Sequence, residues 1–177
     1  MTRLAFLLAA GLLAAAPARV PREQLRGLER GFDQRLLRLS IDEPLDLMGN
    51  SRAVYIEKFG AVLTAEVNLV TSPAITPFRP ELRPEEKEKL RQRKLARLAA
   101  IRQLMRDMMV TSATTLRTVP PEEQIAIGVT FFYNAWENTA GLPSQLVLQA
   151  RRGTLADFEA GRIKSDALAA AIQEQVF

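Results

Sequence analysis

The sequence predicts an α+β domain: an antiparallel sheet of about four to five strands, with one long and one shorter helix on one face and a C-terminal pair of short helices. Three observations carry this. Residues 52–71, R-A-V-Y-I-E-K-F-G-A-V-L-T-A-E-V-N-L-V-T, hold the densest strand-type pattern in the chain, with Ala61, Leu63, Ala65, Val67 and Leu69 apolar and Thr64, Glu66 and Asn68 polar between them. Alternation of this kind packs one side of a strand on a core and leaves the other side to water. A second run, from Ile125 to Tyr133, is apolar at every odd position and alternates with Ala126, Gly128, Thr130 and Phe132; that pattern predicts a central strand covered on both faces. Two further segments repeat apolar residues every three or four positions, which is the spacing of amphipathic helices.

In chain order, Leu25, Leu28, Phe32, Leu36 and Leu39 define a helix over about 21–39 that starts at Pro21. Leu45 to Met48 is a short strand candidate and Gly49-Asn50-Ser51 a turn. Phe59-Gly60 bends the next strand or marks a bulge before Ala61. Residues 71–84 carry Pro73, Pro77, Pro80 and Pro84. Proline fixes φ and removes ladder donors, so this linker is expected to be extended and stiff. A long helix opens at Pro84, with Glu85, Glu86 and Glu88 complementing its dipole. Its apolar stripe is Leu98, Ile101, Met105, Met108 and Leu116, and Pro120-Pro121 must end it. A last strand is expected over 145–150, followed by two short helices separated at Gly161.

Composition limits the chemistry. The chain is 47% hydrophobic and 25% charged, an ordinary globular balance, and has neither cysteine nor histidine. Disulfides, thiolate metal sites and imidazole acid–base catalysis are therefore excluded. No S-x-x-K or G-x-S-x-G motif supports a serine nucleophile. No cofactor and no metal site is expected.

The first 18 residues read as a signal peptide: Arg3 supplies the positive end, Leu4 to Ala16 is apolar, and Ala16-Pro17-Ala18 presents the small residues a signal peptidase reads. The apolar run falls short of the roughly 20 residues that span a membrane, so the mature chain is expected to lack a transmembrane span. It would start at Arg19, with residues 19–150 as core and 151–177 as helical tail of one domain. Loss of Arg3 leaves 23 basic and 20 acidic residues, a net charge of +3. So small a surplus in an exported chain argues against nucleic acid as a partner.

The segments M-G-N-S-R-A-V-Y-I-E-K-F-G-A-V-L-T-A-E-V-N-L (48–69), V-P-P-E-E-Q-I-A-I-G-V (119–129) and F-E-A-G-R-I-K-S-D (158–166) together resemble a group of exported bacterial α+β proteins with no assigned activity. The resemblance covers most of the mature chain. It implies a periplasmic or secreted α+β domain and carries no catalytic residues across.

Three features are candidates for function. Lys87, Arg91 and Lys94 lie on the same side of the long helix as the Leu98–Met105 stripe, so its first turns are expected to project as a basic overhang. Such an overhang suits an anionic envelope surface or an acidic protein; set against that is a solvated helix end with glutamates at helical spacing as partners. The loop F-F-Y-N-A-W-E-N-T-A-G-L-P (131–143) gathers Tyr133, Trp136 and Glu137 in a binding-type composition, although a tryptophan folded back on the core is the commoner outcome. Glu57 and Glu66, on neighbouring strand segments, are the carboxylates that could face each other across a cleft. The leading expectation is an exported, non-enzymatic interaction or structural protein, with self-association compatible with it. The alternative is a carboxylate-dependent hydrolase acting on an envelope glycan or peptide.

Overall fold

The computed structural model describes residues 20–40, 44–71 and 82–177. The expected signal peptide and cleavage site, and most of the proline-rich linker, lie outside them. The elements are α1 (Arg22–Leu37), β1 (Asp46–Leu47), β2 (Arg52–Ile56), β3 (Gly60–Asn68), α2 (Pro84–Thr115), β4 (Gln124–Phe131), β5 (Gln145–Arg151), α3 (Arg152–Glu159), α4 (Ser165–Ala171) and β6 (Gln173–Val176). The α+β class is as the periodicities predict.

The sheet has six strands in the order β1-β3-β4-β5-β6, with β2 pairing β3 on the same edge as β1. It is mixed, not antiparallel. β3 and β4 run parallel, with Gly60 opposite Gln124 and Val67 opposite Phe131. The cause is α2: a strand followed by a helix that returns over the sheet re-enters at the end where the first strand began. β4 to β5 and β5 to β6 are antiparallel.

Residues 52–68 form a tight hairpin in place of the expected bend or bulge. Lys58 adopts φ +67°, and Phe59 N–H donates to Ile56 O. Gly60 follows at φ +129°, and a Cβ there would stand 1.9 Å from Gln124 O. Only glycine combines that backbone angle with so close an approach to β4.

Residues on the odd positions of β3 and β4 (Leu63, Ala65, Val67, Ile127, Val129) and Leu146 and Leu148 of β5 form one core with the helices. α1, α2 and α3 all cover this single face: α1 packs on β2 and α2, and α3 on α2 and β5. Among the described residues no layer lies over the other face. β4 is central and the described elements cover it on one side only, contrary to its two-sided apolar pattern. The small size of Ala126 and Gly128 accounts for the difference, since neighbouring strands shelter them without a second layer. Ala126 is buried yet lies outside the core cluster.

The tail helices also sit on the covered side, and the chain ends in a strand, β6, that its sequence Q-E-Q-V did not announce. Its four residues are all exposed, so no apolar face marks them.

Candidate functional site

α2 is 32 residues long, about 48 Å at 1.5 Å per residue, whereas the nine-residue β3 spans about 30 Å. The helix therefore overruns the sheet at its N-terminal end. Because α2 runs back against β3 and β4, that end lies where β4 finishes and the loop 132–144 begins. The two sequence features that looked separate, basic helix turns and an aromatic loop, meet there.

Lys94 is fully buried and its Nζ donates to Glu137 Oε2 at 2.5 Å, with the Glu137 side chain only 3% exposed. The same Nζ lies 4.9 Å from the centre of the Tyr133 ring, a cation–π distance. Glu137 Oε1 accepts from the Asn134 backbone N–H at 3.1 Å and from Asn134 Nδ2 at 2.8 Å. Tyr133 O–H donates to Pro143 O at 2.7 Å, which closes the loop across its base. Arg91 joins from one turn earlier: Nη1 donates to Ala140 O at 2.9 Å, while Nε and Nη2 hold Glu88.

Burial raises the Glu137 pKa, but the Lys94 ammonium and the two Asn134 donors outweigh it, leaving the carboxyl below its ordinary value. Tyr133 is pushed up, first by burial and then by the Glu137 charge. Glu88 drops to about 2, chiefly through its bonds to Arg91 and Gln92. It stands on the surface, where such pairs add little stability.

The expected basic overhang is therefore absent. Leu90 is buried, Lys94 is sealed from solvent, and the loop closes over the turns that the sheet cannot reach. The helix start packs because Glu137 brings the counter-charge that an aliphatic core lacks. Trp136 is half-buried against the core, as a capping tryptophan would be. Lys87, two turns before Lys94, is half-buried. Lys94, Tyr133 and Glu137 are thus brought together, with Arg91 bracing them. Both oxygens of Glu137 and the ammonium of Lys94 are taken by partners within the protein, so the cluster offers no group to a solute. Asn134 carries one local signal of this role in the sequence, its i, i+3 spacing to Glu137.

Charge is used in a similar way at the β2 edge. Glu29 Oε1 accepts the Ala53 N–H at 2.9 Å and Arg22 Nη2 at 2.8 Å, while Arg22 Nη1 donates to Ala53 O at 2.7 Å. Asp33 Oδ1 takes the Ser51 N–H and hydroxyl. Side chains of α1 thereby occupy main-chain groups along the edge strand, a recognised protection against further strand pairing.

The carboxylate pair does not assemble. Glu57 lies in the β2–β3 turn and Glu66 near the far end of β3, on its open face. About 20 Å of strand separates Gly60 from Glu66, against the roughly 5–10 Å between the carboxyls of a glycosidase. Among the described residues no group of three or more acidic side chains is placed to hold a metal, and no helix is long and apolar enough to cross a membrane.

What the described residues leave without a covering layer is the second face of the sheet. Val54 and Ile56 of β2 are each 50% exposed on it, and Val62, Thr64, Ala126, Gly128, Thr130 and Val147 continue it across the strands. At the β1–β2 end, a recess of about 280 Å³ is lined by Met48, Asn50, Arg52, Thr64, Glu66 and Thr130. No protein-family description, curated protein or solved structure matches the chain.

Proposed function

We propose that this chain is an exported, non-enzymatic interaction protein of the periplasm or extracellular space, and that it works through the open face of its sheet. The observation that carries this reading is the contrast between the two sets of candidate groups. The charged and aromatic side chains that could have done chemistry are occupied inside the protein, with Lys94 and Glu137 buried against each other. Among the described residues, a broad sheet face with half-exposed valine and isoleucine is left uncovered. Apolar patches of this kind on a domain surface mark contact sites more often than chance exposure does. The residues that read as a signal peptide support export. The basic turns of α2 give little support to an anionic surface as partner, because Lys94 and Arg91 are committed to the loop.

The test is capture from the native envelope with the exported protein as bait, beside Val54→Lys. The reading expects specific partners, or further copies of the chain itself, to be lost with the variant. Identical capture by both proteins would place the contact elsewhere and overturn it.

A further inference from the structure

We infer that the occupant of the open face is a second copy of this chain, packed sheet against sheet about a two-fold axis that runs along the strands between β3 and β4. The inference rests on the proposed interaction role and names its partner.

Gly128 is the first observation. It lies in the middle of the central strand, opposite Thr64 on one side and Val147 on the other. A Cβ added there would meet Thr64 Cγ2 at 3.8 Å and Val147 Cγ2 at 3.9 Å, which is ordinary contact. Nothing in the fold excludes a side chain, and glycine weakens a strand interior. Gly60, by contrast, is demanded by its own chain. Glycine that the fold does not require, at the centre of an uncovered face, fits the close approach of another molecule.

The second observation is the relief of the face. Val62 and Thr64 stand on β3 beside Ala126 and Gly128 on β4, so a ridge runs next to a furrow along two neighbouring strands. An axis between those strands exchanges them. The ridge of each copy then enters the furrow of the other, as an isologous two-fold contact requires. Val54 on β2 comes over β5 of the second copy near Gln149. Of the charges on the strands of this face, Asp46, Glu66 and Arg151 lie toward its ends, and Arg52 stands on the edge strand β2 in the row of Thr64, Gly128 and Val147; the middle positions of β3, β4 and β5 carry no charge.

The third is size. Five strand positions about 4.8 Å apart and four to nine residues long give on the order of 550 Å² of flat area per copy. Corrugation raises the accessible figure toward the roughly 800 Å² per partner of a standard stable interface. Aligned sheets of this type pack about 10 Å apart at a modest angle. Edge-to-edge assembly is less suited: the β2 edge is occupied by Arg22 and Glu29, and β6 is only four residues long.

The experiment is sedimentation equilibrium of the exported protein from about 1 to 200 μM, a span that covers the dissociation constants of modest dimers. Gly128→Leu and Val54→Lys are run alongside, and thermal unfolding of each variant is recorded. The expected result is a dimer whose dissociation constant rises at least tenfold in both variants while their circular dichroism is unchanged. Should Gly128→Leu fail to fold, Val54→Lys decides alone, because its side chain is already half in solvent. A monomer throughout the range overturns the inference, and so does a dimer that ignores both substitutions but is lost with Gln175→Pro on the β6 edge. Neither of those outcomes touches envelope capture by the open face, so this inference can fail while the interaction role stands.

Discussion

The two faces of the sheet are built from the same strands and obey different rules. On the helix-covered face every position from Leu63 to Val67 on β3, and from Ile127 to Val129 on β4, that points inward is apolar and dry. Across the sheet the same strands carry Thr64, Glu66, Gly128 and Thr130. A side chain moved by one residue changes from one regime to the other. The comparison teaches that the apolar content of a strand does not say how many layers cover it. β4 is nearly all apolar, yet on one side its residues are small enough to be sheltered by their neighbours.

The largest test of the contrast is Val67→Asp, which puts an unpaired carboxylate where Val67 is 0% exposed. We expect a loss of more than about 4 kcal/mol, enough to unfold most domains of this size. Thr64→Asp, three residues away on the open face, is expected to move stability by less than about 0.5 kcal/mol. Similar urea midpoints for the two variants would mean that the faces do not differ as described. Asn68 is not a suitable control. It is buried, with Nδ2 toward Asp46 Oδ2 at 3.4 Å, so Asn68→Asp would set two carboxylates together.

The most deeply buried charges on the covered side, Lys94 and Glu137, form a pair. Lys94→Met leaves Glu137 buried without its partner and is expected to cost about 3–5 kcal/mol, most of it recovered in the double variant Lys94→Met/Glu137→Gln. A double variant as unstable as the single one would show that packing, not charge, holds the loop. The pH dependence follows from the same pair. Glu137 titrates below its ordinary value of 4.5 in the folded protein. Its contribution is therefore complete above the unfolded pKa and is lost as pH falls through the folded one. Denaturant midpoints measured from pH 6 down to about pH 2 should decline less steeply in the double variant; equal slopes would remove Glu137 from the acid response.

The two glycines of the hairpin and the central strand make a finer comparison. Gly60→Ala must hold φ +129° and clear Gln124 O, and we expect a loss of at least about 2 kcal/mol. Gly128→Ala meets no obstacle and should change stability by less than about 1 kcal/mol, in the stabilising direction because a side chain favours the extended strand. Thermal unfolding at low protein concentration separates this from any effect on self-association. The smallest effect is expected from Val54→Lys, within about 0.5 kcal/mol of the parent in urea titration at protein concentrations where the chain is monomeric, as for most exposed positions.

Much of the secondary structure was legible from period alone, because a strand or helix that buries one face must repeat apolar residues at 2 or 3.6. The spacing of Leu25, Leu28, Phe32 and Leu36, and the odd positions of Ala61–Val67, placed α1 and β3 correctly. The 145–150 run placed β5. The short exposed β6 has no such repeat, since its pairing to β5 runs through the backbone. The candidate site was half legible. Lys94, Tyr133 and Glu137 each stand out by residue type, but on two segments that nothing local joins.

By itself, then, the sequence determined the α+β class, the absence of thiol and imidazole chemistry, and which side of β3 would be packed. Those follow from residue identity and local spacing. Only the tertiary structure decided that β3 and β4 are parallel, that the described helices all cover one face of the sheet, and that a lysine expected in solvent is sealed under a loop. Each of these depends on where the 32-residue α2 ends relative to the shorter strands. That relation fixes where the chain re-enters the sheet and which loop meets the helix start, and local periodicity does not encode it.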